Sequence, residues 1–144
     1  MIREANKFDK HHIIELMLEF REQSEFKEIM GSKNVDYWNT LLDNILAGSG
    51  KIFISPDKGL LMCMMSPLVW DNKMYALHEL AWFVRPEARK GIVAYRLLHA
   101  YLDYAKQLKR DGRIAYFTLS KLANTENMNY GKLGFRKQDE NWVQ

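Results

Sequence analysis

Hydrophobic positions change period along the chain, and the changes mark the elements. Ile13, Leu16, Met17 and Phe20 recur at helical spacing, with Asp9 placed as an N-cap. Trp38, Leu41, Leu42, Ile45 and Leu46 repeat the pattern after Asp36, and Gly48 closes that second helix. Ser-Pro-Asp-Lys-Gly at 55–59 separates the short runs KIFIS and LLMCMM, which predicts a hairpin. Asp71-Asn72-Lys73 is a further turn. After it, Met74–Val84 is almost continuously apolar, the pattern of a central strand buried on both faces.

Pro86 stops strand pairing. A third helix starts near Gly91 and runs on Ala94, Leu98, Tyr101, Leu102, Ala105 and Leu108 to a stop at Gly112. Ile114–Leu119 predicts a strand. Asn124 or Thr125 caps a short helix that reaches Leu133 and ends at Gly134. Phe135–Lys137 and Trp142–Val143 carry weak strand patterns, and a short strand, Ile2–Glu4, opens the chain. The expected order is β-α-α-β-β-β-α-β-α-β-(β), a single mixed α/β (α+β) domain over residues 1–144 with a largely antiparallel sheet.

Composition narrows the class. The chain has 144 residues, one cysteine and 47% hydrophobic content, enough for a core without a disulfide or metal staple. The longest strictly apolar run, Leu60–Met65, is far short of a bilayer span, and the first residues lack the apolar core of a signal peptide. No Cys/His cluster has metal-site spacing. The expectation is a cytoplasmic globular domain without membrane or metal. The net charge of +3 is unevenly spread: residues 1–50 carry −3, 51–84 zero, 85–113 +5 and 114–144 +1. The basic block suggests a local anion partner. Its tyrosines, Tyr95, Tyr101 and Tyr104, fall at packing spacing rather than as a stacking platform, which argues against nucleic acid.

Two stretches carry candidate chemistry. Val84-Arg85-Pro86-Glu87-Ala88-Arg89-Lys90-Gly91 is a strand end, a basic turn and a helix start, where free N–H groups and the helix dipole favour phosphate. Tyr130-Gly131-Lys132-Leu133-Gly134-Phe135 places a tyrosine before a glycine stop and an aromatic residue. Cys63, among Met62, Met64 and Met65, reads as an inert buried thiol, and His11 and His12 as surface residues.

Taken together and in this order, the two stretches resemble the GCN5-related N-acetyltransferase (GNAT) superfamily, with wording around Glu79–Leu98 similar to small phage-type members. The acyl-CoA signature reads Val84-x-Pro86-x-x-Arg89-x-x-Ile92-x-Ala94-x-x-Leu97-Leu98, with Ile92 where the family has its central glycine. The second signature reads Tyr130-x-Lys132-x-Gly134-Phe135 without a mismatch. The resemblance implies an N-acetyltransferase that passes an acyl group directly from acetyl-CoA to an amine. It places pantetheine along the main chain at Phe83 and Val84, and the pyrophosphate on Arg89, Lys90, Gly91, Ile92, Val93 and Ala94. It adds cofactor contacts from Asn124 or Asn127 and makes Tyr130 the acid for the departing thiolate. The base falls on Glu79, with His78 close behind; being adjacent on a strand, the two face opposite sides of the sheet.

The acceptor is an amine on a small molecule or on a protein lysine or N-terminus. In the family the first two helices and their connection usually shape the acceptor side, and Glu15, Glu19, Glu22, Glu25 and Glu28 in that region suggest a cationic acceptor. A homodimer fits the family's habits. The rival reading is a scaffold that has lost catalysis and binds a partner protein, favoured by Ile92.

Overall fold

The computed structural model describes residues 1–121 and 128–144. Five strands form one sheet in the order of the chain: β1 (Arg3–Glu4), β2 (Gly50–Ser55), β3 (Gly59–Pro67), β4 (Tyr75–Val84) and β5 (Tyr116–Thr118). The first four are mutually antiparallel, while β4 and β5 are parallel. Helices α1 (Lys10–Gln23) and α2 (Val35–Asn44) cover one face, and α3 (Val93–Arg110) covers the other. The mixed sheet with helices on both faces agrees with the expected class.

Each face has its own apolar cluster. Ile13, Leu16, Leu42, Ile45, Ile52, Met62 and Phe83 are buried beneath α1 and α2. Leu61, Cys63, Leu77, Val84, Leu97, Tyr101 and Ala105 are buried beneath α3. Fully burying one such aliphatic or aromatic side chain contributes about 1.5–3 kcal/mol, so these alternating stripes hold the layers together.

Local signals explain the boundaries. Gly48 takes φ +128° at the end of α2, where a short π-turn, Ile45–Ser49, hands the chain to β2. The Ser55–Gly59 turn closes β2 onto β3, with the Lys58 amide donating to the Ser55 carbonyl. Gly112, at φ +72°, ends α3; the Arg113 amide returns to the Leu108 carbonyl. Asp9 precedes α1 as expected but does not cap it with its side chain. Its carboxylate accepts from the Asn6 amide and from Arg3, and Arg3 holds it down at about 2.

Four sequence-based expectations are corrected. Of the expected run Met74–Val84, Tyr75–Val84 forms the strand, but only Ala76, Leu77, Phe83 and Val84 are buried in it; Met74 and Tyr75 are exposed, the middle, His78–Trp82, is half-open, and Leu80 is 44% exposed. The third helix begins at Val93, because the chain first makes a 3-10 turn at Pro86–Ala88. The short helix before Gly134 is, within the described residues, a single 3-10 turn, Tyr130–Leu133. Phe135–Lys137 and Trp142–Val143 are not strands. Both are too short and too polar around their apolar residues to hold a ladder without a partner edge.

Candidate active site

β4 and β5 make a fork. They pair only over Ala76–His78 against Tyr116–Thr118, and beyond His78 no described strand runs beside β4 on that side. Backbone groups along Glu79–Val84 therefore face an open slot. The branch point is pinned from both faces. On the α1/α2 face, His78 Nδ1 and Thr118 Oγ1 are 2.7 Å apart. On the α3 face, the Tyr101 hydroxyl donates to the Thr118 carbonyl at 2.6 Å and lies 3.4 Å from the Leu77 carbonyl.

A bulge decides which side chain enters the slot. Met62 pairs with Ala81 and Cys63 with Glu79, so Leu80 is an extra residue in β4. Ala81 and Phe83 face α1 and α2, and Leu77, Trp82 and Val84 face α3. Glu79, opposite the α3-side Cys63, faces α3 as well, and His78 faces the other way. The two are on opposite faces, as expected for neighbours.

Glu79 is held in an apolar setting. No described residue gives its carboxylate a hydrogen bond, and burial pushes its pKa up to about 7. The Tyr130 hydroxyl is pushed above the usual phenol value, first by burial and then by the charge of Glu79. The tyrosine is positioned by Asn129, whose side chain accepts from the Lys132 amide, and by Gly134 at φ +90°. Its ring stands edge-on to Phe135 at 6.3 Å. Cys63 is fully buried and pushed up to about 12 by burial, in keeping with an inert thiol.

The basic loop sits at the open end of the slot. The Val93, Ala94 and Tyr95 amides have no partner among the described residues, since the first helical bond runs from the Arg96 amide to the Ile92 carbonyl and Ile92 offers no side-chain cap. Gly91 is required by neither conformation nor packing: a Cβ there would meet only the Ala88 carbonyl at 3.6 Å. Ile92 is 56% exposed and points away from the core. Arg89 is exposed but folds back over the strand end, donating to the Val84 carbonyl at 2.8 Å and to Gln23 at 3.0 Å, with its guanidinium over the Phe83 ring. Arg85 is tied to Glu19 at 2.8 Å and to the Asp57 carbonyl. Asn124 and Asn127 lie outside the described residues.

No protein-family model matches the sequence, and no curated protein does. Solved structures match over its full length. A probable acetyltransferase superimposes with a TM-score of 0.68 at 20% identity, covering 100% of this chain and 96% of that one. The chain shares the fold of that acetyltransferase. Two further neighbours carry different roles in their names. One is an aminoglycoside acetyltransferase from an uncultured soil metagenomic sample, in complex with sisomicin (TM-score 0.67, 11% identity, 100% and 94% covered). The other is a transcriptional regulator from Bacillus halodurans C-125 (TM-score 0.69, 12% identity, 100% and 97% covered). At such identities the likeness concerns the fold alone.

What sequence reasoning missed is Tyr101. Its helical spacing identified it as packing, which it is, but its hydroxyl also closes the fork. Only the meeting of α3 with β5 reveals this second role. Among the acidic residues of the first two helices, Glu19 and Glu22 are ion-paired, the latter to Lys33 and Arg21.

Proposed function

We propose that this protein is an acyl-CoA-dependent N-acetyltransferase whose centre is Glu79 and Tyr130 in the fork between β4 and β5. What supports the reading is a carboxylate on β4 that has a raised pKa and no hydrogen-bond donor among the described residues, its charge felt at the Tyr130 phenol, next to a stretch of β4 that no described strand pairs beyond His78.

The open edge of β4 at Phe83 and Val84 suits an extended pantetheine arm, which bonds as an added strand would. The free amides at Val93 and Ala94, the space over Gly91 and the charge of Lys90 suit the pyrophosphate. Arg89 and Ile92 then act differently. Arg89 braces the loop from within, and Ile92, pointing outward, leaves the phosphate contacts to backbone. Asn124 and Asn127 remain proposed cofactor contacts.

An amine must lose a proton to attack a thioester, and alkylammonium groups near pKa ~10 hold theirs at pH 7. Glu79, near 7, is poised to accept it directly or through water. Tyr130 stays protonated at neutral pH. It donates to the sulfur as the C–S bond breaks, when negative charge gathers there. His78, facing the other side and engaged with Thr118, is the less suited base and serves to hold the fork.

Calorimetric titration with acetyl-CoA and CoA tests the reading. Saturable binding at micromolar concentration, with turnover that Tyr130→Phe lowers, is expected. No binding at high micromolar cofactor would instead favour the partner-binding scaffold, the reading that the engaged Arg89 guanidinium and exposed Ile92 support.

A further inference from the structure

The basic block of residues 85–113 divides in space. Arg85 and Arg89 sit at the start of α3, engaged by Glu19, Gln23 and backbone carbonyls. Lys106, Lys109, Arg110 and Arg113 sit at its other end, and 18 residues of helix separate the ends by about 27 Å. One phosphate site cannot use both. At the far end lies a cleft of about 720 Å³ between β5 and the segment 133–138. Among the described residues it is lined by Lys109, Arg136 and Lys137 above an aromatic floor of Tyr116, Phe117 and Phe135, and no acidic side chain lines it. It runs along the outer edge of β5, which no described strand covers.

The cleft adjoins the proposed centre. Phe135 packs edge-on against Phe117 at 5.5 Å and against Tyr130 at 6.3 Å, so one aromatic residue is shared by both. Phe117 is the register partner of Leu77, two residues before Glu79.

We propose that this cleft binds the acceptor, and that the acceptor amine is carried on an extended acidic peptide segment laid along the free edge of β5. The inference rests on the acetyltransferase reading and names its substrate class. Main-chain bonds to an open strand edge supply affinity without side-chain specificity. Lys109 and Arg136 then select for carboxylates, Lys137 being paired with Glu140, and the aromatic floor takes the intervening side chains. Acyl-CoA would enter from the amino end of α3 and the acceptor from its carboxyl end, meeting at the fork.

The test uses fluorescein-labelled peptides bearing one lysine among glutamates, among glutamines or among arginines, with spermidine as a small polycation. Anisotropy reads binding without turnover. The acidic peptide is expected to bind at least tenfold tighter than the neutral one at low salt, with the ratio shrinking toward 0.15 M salt as screening sets in. Arg136→Glu and Lys109→Glu each should remove the preference, while calorimetric acetyl-CoA affinity and the melting temperature hold. With acetyl-CoA present, the acidic peptide should be the best acceptor by kcat/KM. Equal binding of the three peptides, or preference for the basic peptide or spermidine, overturns the proposal. Acidic-peptide binding without its acetylation overturns the acceptor assignment. Failure of the acetyltransferase reading itself is seen separately, as absent acetyl-CoA binding.

Discussion

Replacing Glu79 with Gln should make the protein more stable and less active, and the pH dependence of each effect is determined. Burial raises the carboxyl from 4.5 to about 7. The native state therefore holds this proton more tightly than the unfolded chain does. Stability contributed by the neutral form is complete below the unfolded value of 4.5. It is lost progressively as pH rises to about 7, beyond which the full cost of a desolvated carboxylate without a partner among the described residues applies. At about 1.4 kcal/mol per pH unit this cost is about 3 kcal/mol. Glu79→Gln carries no charge at any pH. Its melting temperature should match the parent's near pH 4.5 and exceed it by roughly 6–12 °C at pH 8, at about 2–4 °C per kcal/mol for a chain of this size. Thermal melts by circular dichroism from pH 4.5 to 8.5, with kcat/KM in the same buffers, measure both. Parent kcat/KM should climb through pH about 7, and the variant should lose roughly 10²–10⁴-fold. A constant offset between the two melting curves at every pH would refute the argument, since it would mean that the carboxylate pays no desolvation cost in the fold.

Tyr130→Phe should lower kcat by on the order of 10²-fold with acetyl-CoA affinity unchanged; undiminished turnover in single-turnover assays would remove its role as acid. Tyr101→Phe leaves the Thr118 carbonyl without its donor, which should destabilise by about 1–3 kcal/mol in denaturant melts. It should also speed amide exchange at His78–Leu80; unaltered exchange there would show that the hydroxyl does not pin the fork. Two glycine substitutions should part company. Gly50→Ala drives a Cβ into the Cys63 carbonyl and should unfold or strongly destabilise the chain, whereas Gly91→Ala should melt like the parent but bind acetyl-CoA more weakly by calorimetry.

Much of this fold is legible from apolar periodicity because each layer buries one stripe. The stripes of α1, α2 and α3, the Ser55–Gly59 turn and the glycine stops at 48, 112 and 134 all stand where the pattern puts them. The half-open middle of β4 is not legible. Leu80, Ala81 and Trp82 are apolar whether they face a core or a ligand slot, so an unbroken apolar run reads as burial on both sides. The bulge is hidden for the same reason, because alternation cannot slip visibly where every residue is alike. Charge misleads in a different way: residues 85–113 are one block in sequence, yet a straight helix carries its two halves to opposite ends of the molecule. The strand pattern at Phe135–Lys137 is local, and no described edge pairs with it; Phe135 instead packs its ring on Phe117 and Tyr130.

The extra residue at Leu80 uncouples length from orientation in β4. In a regular strand, counting back by twos from Val84 reaches Trp82, Leu80 and His78, and an imidazole would face Tyr130. With Leu80 set aside, the count reaches Glu79. The bulge is thus a parity switch: one amino-acid sequence offers the reaction a carboxylate or an imidazole according to backbone conformation alone. It also serves as slack, since a chain that lost Leu80 would regain regular alternation with Glu79 still turned toward α3. A lineage carrying this bulge tolerates a one-residue deletion that elsewhere in a strand would invert every side chain beyond it. A Leu80 deletion variant should accordingly keep the parent's pH profile, and a profile displaced toward that of a histidine base would show that the bulge does not set the facing.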